Sequence, residues 1–544
     1  MTRHKEGPTT DTLDFIVAGA QVLDGTGSEG ARIDVGCADG RIVRMGNLEH
    51  EPCRERIEAQ GLVLAPGFVD MHSHSDVSLY RDPQGLSKLM QGITLEVTGN
   101  CGISPAPAPV RTGSETGRQG EPSDDPSEPP PWPTFAAYLR DLEAKGPAVH
   151  VAPLAGHGAI RRAVMGDLDR PATREELIQQ REHLADALDA GAFGLSTGLI
   201  YPPGTYTPTA ELVALSHVLA EPRVKGLYFS HIRSEGDHLL EAVEEALTIG
   251  AAAGIGVELS HHKASGPRNW GKTAQSLERV RQARAQGQDV TLDVYPYVAS
   301  ATSLSAMLPS WALAGGPDTA LERFADPETR RRILDEVEAS EGGSYAGYDR
   351  TRVTGLTQPE LRPLEGRTLV DAADSLGLLP GEALLAILTA ERLASGMIRF
   401  GMQEEDVRRV LAFPETMIGT DGSAISPDGP DRHRMVHPRT YGTFPRVLGH
   451  YVREERVLTL PDAIRRMTSL AADRLGLPDR GRIRVGAYAD LVLFDPERIA
   501  DRATFERPHQ FPEGISGVWV EGVRAVDAKG PTGKRNGRVL RRNT

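Results

Sequence analysis

Eight short apolar runs, each ending in polar or glycine residues, set the rhythm of the middle of this chain. They read LAPGFVDMHSH, ITLEVTGN, AVHVAPLAGH, AFGLSTGL, GLYFSHI, IGVELSHH, DVTLDVYPY and ETMIGTDG. Helical signals lie between them, including TREELIQQREHLADALDAG, with a capping Thr and a closing Gly, and GDHLLEAVEEALTIGAAAG. Strands that alternate with helices read as parallel βα units, and eight such units predict an α/β fold, the (β/α)8 TIM-like barrel. The 544 residues are enough for that barrel with additions.

The flanks have a different texture. Residues 12–64 hold short β-like runs broken by Gly and Asp, and residues 479–535 repeat that texture in ADLVLFD and SGVWVEGVRAV. The two chain ends are therefore expected to pair into one small β-sandwich domain, leaving 65–478 to the catalytic barrel. Residues 110–133, rich in Pro, Ser, Gly and charge, predict a flexible loop. Residues 301–410 form a long insertion between strands 7 and 8. Because it follows a strand's C-terminal end, it reads as a lid or specificity region. Residues 1–11 and 536–544 read as tails.

A net charge of −14 argues against a nucleic-acid or anionic-membrane partner. No signal-like start and no run of about 18 apolar residues point to a cytoplasmic protein. Cys37, Cys53 and Cys101 are too few and too odd in number for a disulfide framework.

The chemistry-bearing residues gather at strand ends, where barrel active sites lie. Strand 1 ends in DMHSHSD, whose alternation puts Asp70, His72 and His74 on one face. Strand 2 runs into Asn100-Cys101 and strand 5 supplies His231. Strand 6 ends in SHHK, where His261 rather than His262 shares a face with Lys263. Strand 8 supplies Asp421. Alone, Cys101 is open to four readings: buried filler, redox centre, nucleophile or metal ligand. Imidazole and thiolate suit zinc, and a carboxylate completes such a site. Five strands that each deliver a ligand type at the same end are hard to explain by packing.

These segments resemble the amidohydrolase superfamily and, within it, the D-aminoacylases (N-acyl-D-amino-acid deacylases), over roughly residues 12–540. The resemblance is carried by APGFVDMHSHSD, QGITLEVTGNCGISPAP, GLSTGLIYPPGTY, FSHIRSEG, LSHHKASGPRNWGKT, DVYPY, MIGTDGS and HPRTYGTFPRVLG, with GRIRVGAYADLVLFD near the end. It implies zinc-dependent hydrolysis of the amide of an N-acyl-D-amino acid, releasing the D-amino acid and a carboxylic acid. Many binuclear relatives bridge two metals with a carboxylated lysine on strand 4, but GAFGLSTGL contains none. The D-aminoacylases are similar in using a strand 2 cysteine instead. The resemblance thus implies Cys101, His231 and His261 around one tightly held Zn2+, with His72, His74 and Asp421 around a second, weaker position. Asp421 would be the general acid/base, and Lys263, Tyr295 and Arg439 match a clamp for the free carboxylate of a small-molecule substrate.

Two departures from the family pattern stand out. Ser300-Ala301-Thr302 replaces a Ser-Thr or Ser-Ser-Thr run, and the linker GSAISPDGPDRHRMVHP between Asp421 and Arg439 is long. Two rival readings accompany the first: an amidohydrolase acting on a hydantoin, cyclic imide or dipeptide, and a non-catalytic scaffold on the same fold. The Lys263/Arg439 pair favours a free carboxylate over a ring, and an intact ligand set counts against a dead barrel.

Overall fold

In the computed structural model, residues 12–108, 131–221, 225–340 and 347–542 are described. The tail over 1–11 and nearly all of the loop over 110–133 lie outside them.

Eight parallel strands form the centre: β1 (Phe68–Asp70), β2 (Ile93–Thr98), β3 (His150–Pro153, continued by Ala155–Gly156), β4 (Gly194–Gly198), β5 (Leu227–His231), β6 (Gly256–Leu259), β7 (Val290–Val294) and β8 (Thr416–Ile418). Each pairs in parallel with the next. The ring closes where Met71 N–H donates to Ile418 O at 3.1 Å and Ser73 bridges Gly422. Val69, Leu95, Ala152, Phe229 and Met417, from five of the strands, share one buried cluster. A larger cluster packs strand residues such as Val257 and Leu292 against helix residues such as Leu184, Val243 and Val280. The helix Arg174–Asp189 begins where its sequence says it should, with Thr173 and Glu176 forming a reciprocal capping box.

The run LAPGFVDMHSH is not one strand, which corrects the boundary drawn between residues 64 and 65. Val63–Pro66 belongs to a seven-stranded sheet, and β1 starts after Gly67. A Cβ on Gly67 would stand 2.2 Å from Thr94 Oγ1, so the chain crosses between sheets where only glycine fits. That sheet takes Gln21–Val22, Ala31–Arg32 and Val63–Pro66 from one chain end, and Leu491–Phe494, Ile515–Val520, Val523–Asp527 and Gly530–Pro531 from the other. A four-stranded sheet of Leu13–Ala18, Asp34–Ala38, Arg41–Gly46 and Cys53–Glu58 shares a core with it through Phe15, Val35, Leu64, Leu491 and Trp519.

The segment after residue 535 is no tail either. Val151 N–H donates to Arg538 O at 2.9 Å, and Leu540 N–H donates to Val151 O at 2.8 Å. Val539 is buried. The basic run GKRNGRVLRR contains two apolar residues, Val539, which is buried, and Leu540, which is partly buried against the barrel core.

Between β7 and β8 the chain builds a three-stranded antiparallel sheet from Ala299–Ser303, Thr351–Thr354 and Gly396–Phe400. It has its own core of Leu304, Phe324, Val353, Leu384 and Leu388.

Candidate active site

The strand ends converge on Cys101. Its Sγ lies 3.3 Å from His72 Nε2, 3.3 Å from His261 Nε2 and 3.5 Å from His231 Nδ1. A tetrahedral zinc, with bonds of about 2.0 Å to nitrogen and 2.3 Å to sulfur, sets its ligand atoms roughly 3.5 Å apart. The three sulfur–nitrogen separations match that spacing. His74 Nε2 stands 3.0 Å from Asp421 Oδ1, and His72 Nε2 stands 3.7 Å from the same oxygen. His72 thus lies between two groups of ligand-type atoms, one holding Cys101 and His261, the other His74 and Asp421.

The backbone bends sharply to achieve this. Cys101, His261 and Asp421 adopt positive φ of 54°, 33° and 49°, a region that side-chain-bearing residues seldom occupy. Just before Cys101, Gly99 has φ 79°, and a Cβ there would meet Leu154 O at 2.1 Å. Strain of this kind at a strand end aims a side chain where a regular pleat does not.

Electrostatics favour a cation here. Burial lowers the histidines, His72 to about 3 and His261 to about 4, so both rings are neutral with lone pairs to offer. Burial, reinforced by the Asp421 carboxylate, pushes the Cys101 thiol well above its ordinary value. A buried sulfur in that setting becomes a thiolate only beside positive charge. For Asp421 burial acts upward, but Arg439 and His261 outweigh it and hold the carboxyl well below the usual range.

The remaining sequence-predicted residues are brought to the same mouth. Lys263 Nζ contacts His261 Nδ1 at 2.8 Å. Arg439 Nη1 lies 2.8 Å from Asp421 Oδ2, so the long linker still returns it to the centre. Tyr295 is buried, with the Arg439 guanidinium 4.5 Å and Lys263 Nζ 5.5 Å from its ring centre. His262 points away and meets Ser276 Oγ at 2.7 Å. Asp70 does not face the site. It binds Lys88 Nζ at 2.7 Å and accepts from Thr420 N at 2.8 Å, because the bend after β1 breaks the alternation that put it beside His72.

Two carboxylates escaped the sequence reading. Asp293 on β7 lies 3.2 Å from His72 Nδ1 and accepts the His261 backbone N–H at 2.8 Å. Glu235 Oε1 sits 2.5 Å from Lys263 Nζ, 3.2 Å from His261 Nδ1 and 3.7 Å from His231 Nε2. Signals for both existed. Glu235 follows His231 by four residues, and Asp293 precedes Tyr295 by two on one strand face. These carboxylates lie against the outer ring nitrogens of His72 and His261 while the inner ones face Cys101, an arrangement that fixes ring orientation at metal sites.

The cluster opens into a cavity of about 860 Å3. Ser300, Ala301, Thr302 and Ser303 from the insertion line it, as does Tyr201, whose hydroxyl meets Thr302 Oγ1 at 2.7 Å.

A family profile described as "Amidohydrolase family" matches residues 55–526. The chain is 38% identical over 537 residues to a D-aminoacylase of Alcaligenes xylosoxydans xylosoxydans, covering 97% of this chain and 98% of that one. It is 40% identical over 538 residues to an N-acyl-D-glutamate deacylase of the same organism, covering 98% and 97%. Among solved structures, it resembles an N-acyl-D-glutamate deacylase from Bordetella bronchiseptica complexed with zinc and a phosphonate inhibitor that mimics the tetrahedral intermediate. That match has a TM-score of 0.82 and 38% identity, and covers 97% of this chain and 100% of the other.

Proposed function

Because the chain belongs to the amidohydrolase family, we propose that it hydrolyses the amide bond of N-acyl-D-amino acids in a zinc-dependent reaction. The convergence of Cys101, His72, His231 and His261 is the observation that carries this reading. Cys101, His231 and His261 would hold the tight zinc, and His72, His74 and Asp421 would line a second, weaker metal position. A zinc bound there would supply Lewis acidity toward the amide carbonyl and would lower the pKa of water toward neutrality.

The chain's own groups do the rest. Asp421, held as carboxylate at the cavity wall, takes a proton from the attacking water. The water oxygen bonds to the acyl carbon, the C–N bond breaks, and Asp421 returns the proton to the departing amine. Lys263, Tyr295 and Arg439 bind the substrate's free carboxylate, two cations and a phenol that suit charge-assisted hydrogen bonds. With Ala301 lacking a hydroxyl, Ser300 and Thr302 are the neighbouring donors that line the cavity. Glu235 holds Lys263 toward that carboxylate. The paired sheets form a β-sandwich, and the 301–410 insertion walls the cavity as its specificity region.

Asp421→Asn tests the assignment. The variant is expected to retain zinc while kcat on an N-acetyl-D-amino acid falls about 10^3-fold, within the range for a lost general base. Near-normal kcat would remove Asp421 from the role. Turnover of hydantoin in place of the linear substrate would replace the reading with that of a cyclic amidohydrolase.

A further inference from the structure

The relatives act on different side chains at nearly equal identity, 38% for the D-aminoacylase and 40% for the D-glutamate deacylase, so identity does not set the substrate class. The cavity does. We infer that it accepts N-acyl-D-amino acids whose acyl group and side chain are both uncharged, and that Asp167, by pairing with Arg162, keeps acidic substrates out. The inference rests on the deacylase reading and refines it.

A second carboxylate on the substrate, whether in the side chain or the acyl group, needs its own cation once it leaves water. Among the described residues, Arg162 and Lys263 line the cavity, and Arg439 lines a second cavity that shares Ala301, Thr302 and Asp421 with it. Lys263 and Arg439, each also beside a carboxylate (Glu235 and Asp421), flank Tyr295 and are assigned to the α-carboxylate by the deacylase reading. Arg162 is the cation left over, and it is already matched. Its Nε donates to Asp167 Oδ1 at 3.0 Å, Nη2 lies 2.9 Å from the same oxygen, and Nη2 donates to Pro202 O at 3.1 Å. The Arg162–Asp167 pair therefore presents no net charge to a ligand.

The rest of the wall matches an apolar guest. Ile200, Leu313 and Leu393 face the cavity, and Ile103 does so with 56% of its surface left open to solvent. Apolar surface exposed at a cavity wall gains by covering itself with an apolar side chain. A carboxylate placed against these side chains would meet apolar groups and hydroxyls, with Arg162 already held by Asp167.

The test uses the full-length, zinc-loaded enzyme with N-acetyl-D-leucine, N-acetyl-D-aspartate and N-acetyl-D-glutamate. The leucine derivative is expected to exceed both acidic ones in kcat/KM by about 100-fold or more, as unpaired buried charge is strongly rejected. Asp167→Asn frees Arg162 and should narrow that ratio about tenfold, mainly through a lower KM for the acidic substrates. Leu313→Lys, which adds an unpaired cation at a different point of the wall, should narrow it independently of how Asp167→Asn folds. Equal or better turnover of the acidic substrates by the parent enzyme overturns the inference alone. A ratio unchanged by Asp167→Asn removes Asp167 from its role. Inertness toward all three substrates overturns the deacylase reading and the inference with it.

Discussion

Lys88 is fully buried, and each of its three protons has an acceptor: Asp70 Oδ2 at 2.7 Å, Thr420 Oγ1 at 2.7 Å and Gly422 O at 2.9 Å. Glu96 lies 3.4 Å away, and its Oε2 accepts from Ser73 and Ser75. Thr420 and Gly422 flank Asp421, so across that one residue lies the other cluster, where Cys101 faces three imidazole nitrogens. Around Lys88 the cation is part of the chain and the acceptors close on it. Around Cys101 the chain supplies acceptors on the inside and ties only the outer nitrogens, through Asp293, Glu235 and Lys263. Lys88 has all three protons accepted within the chain and ties together the residues on either side of Asp421. A converging set of lone pairs fits an added cation. Adjacent clusters thus differ in where their cation comes from: Lys88 supplies one from the chain, whereas the donors around Cys101 leave room for one from outside.

Removing the centre of each should separate the two roles. Cys101→Ala deletes the atom on which three histidines converge. Zinc content after dialysis is expected to fall below half of the parent's, and kcat/KM about 10^3-fold or more, from loss of the Lewis acid. The melting temperature without metal should stay within a few degrees of the parent's, since a small thiol in neutral company contributes little. Zinc bound as tightly as in the parent would refute the central place given to Cys101. Lys88→Met should do the reverse. Leaving Asp70 and Glu96 buried without their cation costs about 3–5 kcal/mol of stability, visible in the urea midpoint, while zinc per folded molecule stays near the parent's. An unchanged midpoint would mean that Lys88 is dispensable to the turn.

A smaller effect is expected at the rim of the metal cluster. Arg439 touches both Asp421 and the Ala301 carbonyl, the latter at 3.1 Å. Arg439→Ala should raise KM by about 10- to 100-fold, the worth of a charge-assisted hydrogen bond, with zinc content unchanged. An unaltered KM would place the substrate carboxylate elsewhere.

The candidate ligand residues could be picked out in the sequence because barrel chemistry sits at strand ends and its residue types are few. His72, His74, Cys101, His231, His261 and Asp421 each end a strand-like run, and the structure gathers all six. Phase was less legible. Alternation put His261 rather than His262 on the side that faces Cys101, as the structure does, yet it misplaced Asp70, because the chain bends after β1. Lys88 gave no signal: it lies in a four-residue helix, Leu86–Leu89, and meets Thr420 and Gly422 more than 330 positions away. The C-terminal segment misled for a related reason. Composition counted its basic residues, whereas Val539 and Leu540 decide where it lies.

His157 offers a third kind of buried ionisable group and the finest test of the contrast. It begins the helix His157–Met165, is fully buried, and neither ring nitrogen has a hydrogen-bond partner among the described residues. Burial, with Arg161 and Arg233 nearby, lowers its pKa from 6.5 to about 3. The proton therefore binds the unfolded chain more readily than the folded one. Its contribution to stability is complete above pH 6.5 and is lost as pH falls toward 3, at about 1.4 kcal/mol per pH unit. Between pH 6.5 and 5, the urea midpoint of the parent should fall more steeply than that of His157→Gln, whose side chain does not titrate. Parallel curves would show that the folded protein tolerates a charged His157. In that case burial without a partner would not keep this ring neutral, and the separation between satisfied and unsatisfied charge would be less sharp than the two clusters suggest.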